Sequence, residues 1–346
     1  WDMGAATPTG FGCVTYDGSG AARSIANLGF QPDVVWFKER NNAVSHRVFD
    51  SVRGATKRIF PNNDGAESTH TTALTSFDPD GFSVGSGGAV NGGSDTYVAW
   101  AWDMGDTTAT NTSGTISSQV RANTTYGQSI VTYDGNGTNN ATVGHGLSAA
   151  PELVIIKRTD ATSNWNVGAD AIGWANHLYL NTNSAQLNGY NPITGQASTL
   201  EISADSDVNN SSGSYVAYCF DSVSGYSKIG SYSGTGGTHT VTTGFRPAFL
   251  LTKRTDTSDH WRIVDNVRSP FNNGALKGMK VNESETESDA GTRNIDFIST
   301  GFTIKDTDAD TNANGGTYIY YAVAGGMDSI SDYNTDGSID SRVKAN

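Results

Sequence analysis

Charge is scarce in this chain of 346 residues, and basic charge is scarcer still: 22 Lys and Arg stand against 35 Asp and Glu, for a net charge of −13. A surface that binds nucleic acid needs a basic stripe to displace counterions from phosphates, so no nucleic-acid partner is expected. Cysteine is nearly missing. Cys13 and Cys219 sit in apolar, strand-like stretches at places that do not correspond, which favours two buried free thiols over a disulfide and leaves too few thiols for a metal centre. No apolar stretch approaches the roughly 20 residues of a membrane-spanning helix, so no membrane span is expected. Runs of Ala, Leu, Glu and Lys with helical periodicity are missing too. The six histidines show no His-x-His or His-Glu-x-x-His spacing, and Gly85–Gly88 lacks the lysine and following helix of a phosphate loop. No catalytic constellation emerges, and the chain is not expected to be an enzyme.

What is present is glycine (41 residues) and aromatic side chains (10% of the chain). Glycine-rich polar sequence can be disordered, but recurrent apolar and aromatic clusters provide surface to bury and argue for folded structure. One pattern organises the rest. Gly-Phe-Gln-Pro-Asp-Val-Val-Trp-Phe-Lys-Glu-Arg (Gly29–Arg40) returns at Ala150–Asp160 and at Gly244–Asp256, each time as a proline-marked turn, a short apolar run and a basic exit. Such runs read as strands buried on both faces. Around them other elements recur. Tyr16, Tyr133 and Tyr232 hold one equivalent position, and Tyr97, Tyr215 and Tyr318 another. Asp78-Pro79-Asp80-Gly81 marks a turn between two strands.

The expected fold is therefore all-β: tandem antiparallel β-sandwich units of about 100 residues, of jelly-roll or lectin-like type. The expected divisions are unit one at 1–103, a linker with one short strand at 104–126, unit two at 127–225, unit three at 226–326 and a C-terminal extension at 327–346. The first and last strands of each unit are expected to be neighbours. Trp1-Asp2-Met3-Gly4 repeats at Trp102–Gly105, and Thr110–Asn123 is nearly repeated at Tyr333–Asn346. Residue 1, which is not Met, thus reads as the cut edge of something longer. The echo also admits a head-to-tail homo-oligomer or polymer, in which Ile339 and Val343 dock as Ile116 and Val120 do internally.

Two clusters invite a ligand. Asp306, Asp308 and Asp310 alternate as in calcium loops, although the bidentate Glu and flanking helices of an EF-hand are missing, which favours a solvated hairpin loop. Trp165 and Trp174 flank a glycine-rich stretch and are candidates for stacking on sugar rings, whereas Trp36 and Trp261 lie in strand patterns and are expected in the core.

The words Leu28–Lys38, Ser45–Ala55, Thr96–Trp100 and Gly244–Asp256, taken together, resemble a family of tandem-repeat proteins of marine tailed bacteriophages, cyanophages included, labelled structural or tail-fibre-like. The resemblance covers nearly the whole chain. It implies a virion-surface or extracellular component, with other virion or fibre proteins as partners and no catalytic residues to carry over. The functional expectation is a non-enzymatic structural subunit without an obligatory cofactor. The alternative is a carbohydrate-binding adhesion module that recognises surface glycans.

Overall fold

The computed structural model describes residues 10–269, 277–289 and 294–325, together with the strand pair Asp332–Tyr333 and Ile339–Asp340. Within these residues the architecture is all-β and antiparallel, with one-turn helices at Gly88–Asn91, Ser206–Asn209 and Ala309–Asn312 and a short 3-10 turn at Asp170–Ile172. One sheet topology occurs three times. An opening strand (Phe11–Asp17, Gln128–Asp134, Ser227–Ser233) pairs with a closing strand (Thr96–Trp102, Ser214–Phe220, Thr317–Val323). The closing strand pairs on its other side with the signature strand (Val34–Glu39, Leu153–Arg158, Phe249–Arg254). A fourth strand follows (Arg47–Asp50, Trp165–Ala169, Trp261–Asp265), here called the seam strand. The first and last strands of each unit are thus neighbours in one sheet, as the sequence suggests.

Alternation along these strands decides what each face meets. In the signature strands Val34 and Trp36, Leu153 and Ile155, Phe249 and Leu251 all point into one shared core. Their neighbours Val35 and Phe37, Val154 and Ile156, and Leu250 point the opposite way, into three separate outer cores. The closing strands divide likewise: Trp100, Tyr218 and Tyr321 face the centre, while the small Ala99, Ala217 and Ala322 face outward. A period of two is what a strand imposes. Each outer core is roofed by a three-stranded sheet, Arg23–Ala26 with Gly81–Val84 and Leu74–Asp78 in the first unit and its counterparts in the others. Three main sheets therefore stand around a common axis, each covered outside by its own roof and inside by the other two.

The turns carry their own constraints. Gly81 and Gly301 open the roof strands at φ 148° and 156°, and a Cβ at either would meet the carbonyl oxygen of Ile25 or Val241 at 2.0 Å, so the Asp-Pro-Asp-Gly turn requires its glycine. The tyrosines paired by sequence position stack as rings 4.9–5.3 Å apart: Tyr16 on Tyr97, Tyr133 on Tyr215, Tyr232 on Tyr318. Each pair donates both hydroxyls to backbone carbonyls of the one-turn helix beside it, Tyr133 to Val208 and Tyr215 to Ser206 for example. These donations satisfy carbonyls that so short a helix cannot.

The expected linker differs from the structure. Instead of one short strand, 104–126 holds a hairpin, Thr108–Asn111 with Ser118–Asn123, whose second strand pairs along the whole opening strand of unit two. Its polarity reflects the solvent-facing side; the other side carries Ile116 and Val120 into that unit's outer core.

Left exposed, Trp36, Trp100 and Trp102 alone would forfeit about 5–9 kcal/mol, at about 1.5–3 kcal/mol for each large apolar side chain, which rivals the whole net stability of a domain. Segments 10–104, 127–220 or 227–325 produced singly are accordingly expected to lack a cooperative denaturation transition and to bind a hydrophobic dye. A sharp two-state transition in any one of them, followed by circular dichroism, would show that the inner face needs no neighbours.

Candidate functional site

The contacts between main sheets are built from equivalent residues, and they form a closed ring of three seams. At the first, the indole Nε1–H of Trp165 donates to the Phe60 carbonyl (3.0 Å) while Glu67 N–H reaches Thr159 (2.8 Å). At the second, Trp261 donates to Tyr179 (2.9 Å) and Gln186 N–H to Thr255 (2.9 Å). At the third, His46 Nε2 meets the Lys280 carbonyl (3.0 Å) and Glu287 N–H donates to Arg40 (2.8 Å). The residue at the head of each seam strand is fixed by an asparagine: His46, Trp165 and Trp261 donate their backbone N–H to Asn62, Asn181 and Asn282. This placement corrects the reading of Trp165 as a sugar platform. It is 1% exposed and spent on the seam.

The signature lysines lie beside the seams. Lys38, Lys157 and Lys253 are each 0% exposed, and burial pulls all three down to about 8. Their ammonium groups donate to backbone carbonyls: Lys38 to Glu39 and Asn42, Lys157 to Arg158 and to Asp64 across the seam, Lys253 to Arg254. The sequence suggests a basic residue where the chain leaves the core; in the structure the whole side chain is buried.

Charge distinguishes the seams. At the first, Asp50 accepts the Arg53 guanidinium (2.6 Å) and the Tyr218 hydroxyl of the next unit (2.7 Å), and Arg53 continues to Glu67 (2.9 Å). Burial, with the Asp50 charge adding to it, keeps the Tyr218 hydroxyl protonated far above its ordinary range. At the third, Asp265 accepts Arg268 (2.6 Å) and the Trp100 indole (2.9 Å), and Glu287 takes a bidentate pair from Arg40. At the second, Ala169, Ile172 and Gln186 occupy the corresponding places.

The acidic cluster does not converge on a cation. Asp306 accepts Thr311 Oγ1 (2.9 Å) and the Asn294 and Asp308 amides; Asp308 caps the one-turn helix by accepting Asp310 N–H (3.0 Å); Asp310 is buried against Arg262. All three carboxylates are engaged within the fold, and Asp306 and Asp310 are buried rather than placed on the solvated loop that the sequence suggests. Among the described residues no group of three or more His, Cys, Asp or Glu has a geometry that could hold a metal ion. Trp174 is half-buried over Gly168 and Gly195, where a Cβ on Gly195 would lie 2.8 Å from its ring. Close by, where Gly189 N–H bonds Ala175, Tyr190 is 43% exposed. Its hydroxyl meets Ser203 Oγ and Asp205 (3.0 Å each). Tyr190 lies outside the motifs that recur between the units, so the sequence pattern does not mark it.

Ile116 bridges to Val143 and is buried with Val120. Ile339 pairs with Tyr333 in a two-residue strand; Val343 lies outside the described residues. Both cysteines are free.

Removing one partner of a buried ion pair costs about 3–5 kcal/mol. Asp310→Ala should lose stability on that scale in urea denaturation, by the same amount in calcium as in chelator. A loss that appears only with calcium present would support the metal reading.

No curated protein matches the chain. Residues 8–326, which take in all three main sheets, match a family described as a domain of unknown function, DUF7483, and the chain belongs to that family.

Proposed function

We propose that this chain is a non-enzymatic structural subunit of a virion appendage or extracellular fibre, and that copies join by strand addition. One asymmetry carries the reading. The opening strand of unit two is covered by the Ser118–Asn123 strand, whereas among the described residues the equivalent strands Phe11–Asp17 and Ser227–Ser233 end their sheets. A free edge of this length is a template for pairing. The line Tyr333–Asn346 nearly repeats the sequence of the covering hairpin, and a second copy offering it to Phe11–Asp17 would make between chains the contact already made within one. Such head-to-tail joining closes into rings or propagates as filaments. The virion or extracellular setting rests on the motif resemblance and on the acidic, glycine- and asparagine-rich composition.

The test is the solution mass by light scattering, with electron microscopy, for three proteins: the full chain, a truncation after Gly325, and Thr15→Pro. Gly10 and Gly18 bond to Asp103 and Asp95 on the closing-strand side, so Thr15 turns its N–H to the free edge and proline there spares the internal ladder. Oligomers of the full chain that both changes abolish are expected. A monomeric full chain at high concentration overturns the reading.

A second reading, glycan adhesion, is supported by Trp174 and Tyr190, which share one face of unit two. Aromatic rings backed by a carboxylate suit sugar C–H and hydroxyl groups. On a glycan array, binding that falls at least tenfold in Tyr190→Ala is expected under this reading, and no binding by the parent chain discards it.

A further inference from the structure

The third seam differs from the other two at the residue that heads its seam strand. The registers align His46 with Trp165 and Trp261, and Trp36 with Ile155 and Leu251. Where units two and three use an aliphatic residue and a tryptophan, unit one uses a tryptophan and a histidine. Trp36 Nε1–H donates to His46 Nδ1 (2.9 Å), so the single ring proton sits on Nε2, which reaches Lys280 of the third unit at 3.0 Å. A two-ring relay replaces one indole.

The relay tolerates one protonation state. A second proton, taken from solvent onto Nδ1, would destroy the acceptor for Trp36 and set N–H against N–H. The ring is 0% exposed. The cations around it are Lys38 and Arg47 from its own unit and Arg268 from the third. The nearby carboxylates are engaged elsewhere: Glu39 with Asn42, Asp265 with Arg268 and Trp100, Glu287 with Arg40, Arg268 and Lys277. Among the described residues none bonds the imidazole. The second seam's histidines are different in kind. Burial depresses both of them as well, but His177 Nδ1 faces the Tyr190 carbonyl (3.3 Å), which a second ring proton would satisfy, and His260, whose Nδ1 meets the Asn282 amide (3.0 Å), is partly exposed with Glu283 within 3.8 Å to offset a positive charge.

We propose that the seam between the third and first units is a proton-operated latch: acid holds it open through His46 while the two tryptophan seams stay shut. This seam is also the one that joins no consecutive units, so its release leaves three units still strung in order with one inner face of each end unit unpaired. Burial depresses the imidazole well below 6.5 in the closed state. The sign follows: closure is at full strength above 6.5 and weakens as pH falls below it, because only the open form takes up the proton. With an open-state value of about 6.5, the opening constant rises about thirtyfold between pH 7.5 and 5.

Hydrogen exchange by mass spectrometry on the full chain at these two pH values, corrected for intrinsic rates, reads this directly. Segments 44–50 and 277–289 should gain about thirtyfold in opening, and segments 57–69 and 176–188 far less. Trp36→Ile with His46→Trp installs unit two's own pair in unit one and should abolish the gain. His46→Gln, which can accept from Trp36 and donate to Lys280 without titrating, should do the same if the double variant fails to fold. Equal gains in all three segments that carry a seam's acceptor, no gain in the parent chain, or a gain that survives in the folded variant overturns the latch.

Discussion

A β-sheet apolar on both faces cannot be covered by one partner, and this constraint shapes the molecule. Each main sheet finds its outer cover locally, in a three-stranded roof supplied by its own unit. Its inner cover comes from the other two sheets. The units are repeats in topology but not in stability, because the largest side chains, Trp100, Tyr218 and Tyr321 among them, are buried where no single unit can bury them. The chain must close into a ring to bury them all.

Closure also accounts for the unusual polar residues. Where three sheets meet edge to face, backbone carbonyls turn inward with no ladder partner, and an unsatisfied buried carbonyl is costly. Indole and imidazole N–H groups answer this at Phe60, Tyr179 and Lys280; lysine ammonium groups answer it at Glu39, Arg158 and Arg254. The buried Asp–Arg–Glu groups at two seams add little net stability once desolvation is counted. Their effect is on pairing: a strand slipped by one residue would bury an unmatched charge. The neutral second seam lacks that penalty and relies on fit.

The parts of the fold legible in the sequence were those set by local rules. Alternation located the strands, Asp-Pro-Asp-Gly located a turn, and recurrence marked two sets of equivalent tyrosines, though not that they stack on each other. What could not be read locally was which face meets a neighbour. Trp165 sits in an irregular glycine-rich context typical of an exposed residue, yet it plugs the adjacent unit. The usable clue was positional, since Trp165 follows Lys157 by the same interval as Trp261 follows Lys253. The alternating aspartates show a related point. Asp205 and Asp308 cap equivalent one-turn helices, so the Asp-x-Asp spacing has a local role at a helix start that spacing alone does not reveal. The 104–126 segment misled because half of a hairpin on a sheet edge faces water and reads as linker.

The three hidden lysines turn the architecture into its own gauge. While every wall is shut, Lys38, Lys157 and Lys253 lie out of reach of an amine-reactive label. Labelling at each position reports the integrity of one wall, in the unmodified chain and without an added fluorophore. A repeat protein closed on itself would thus carry, at each of its three joints, an amine whose chemical silence certifies the joint.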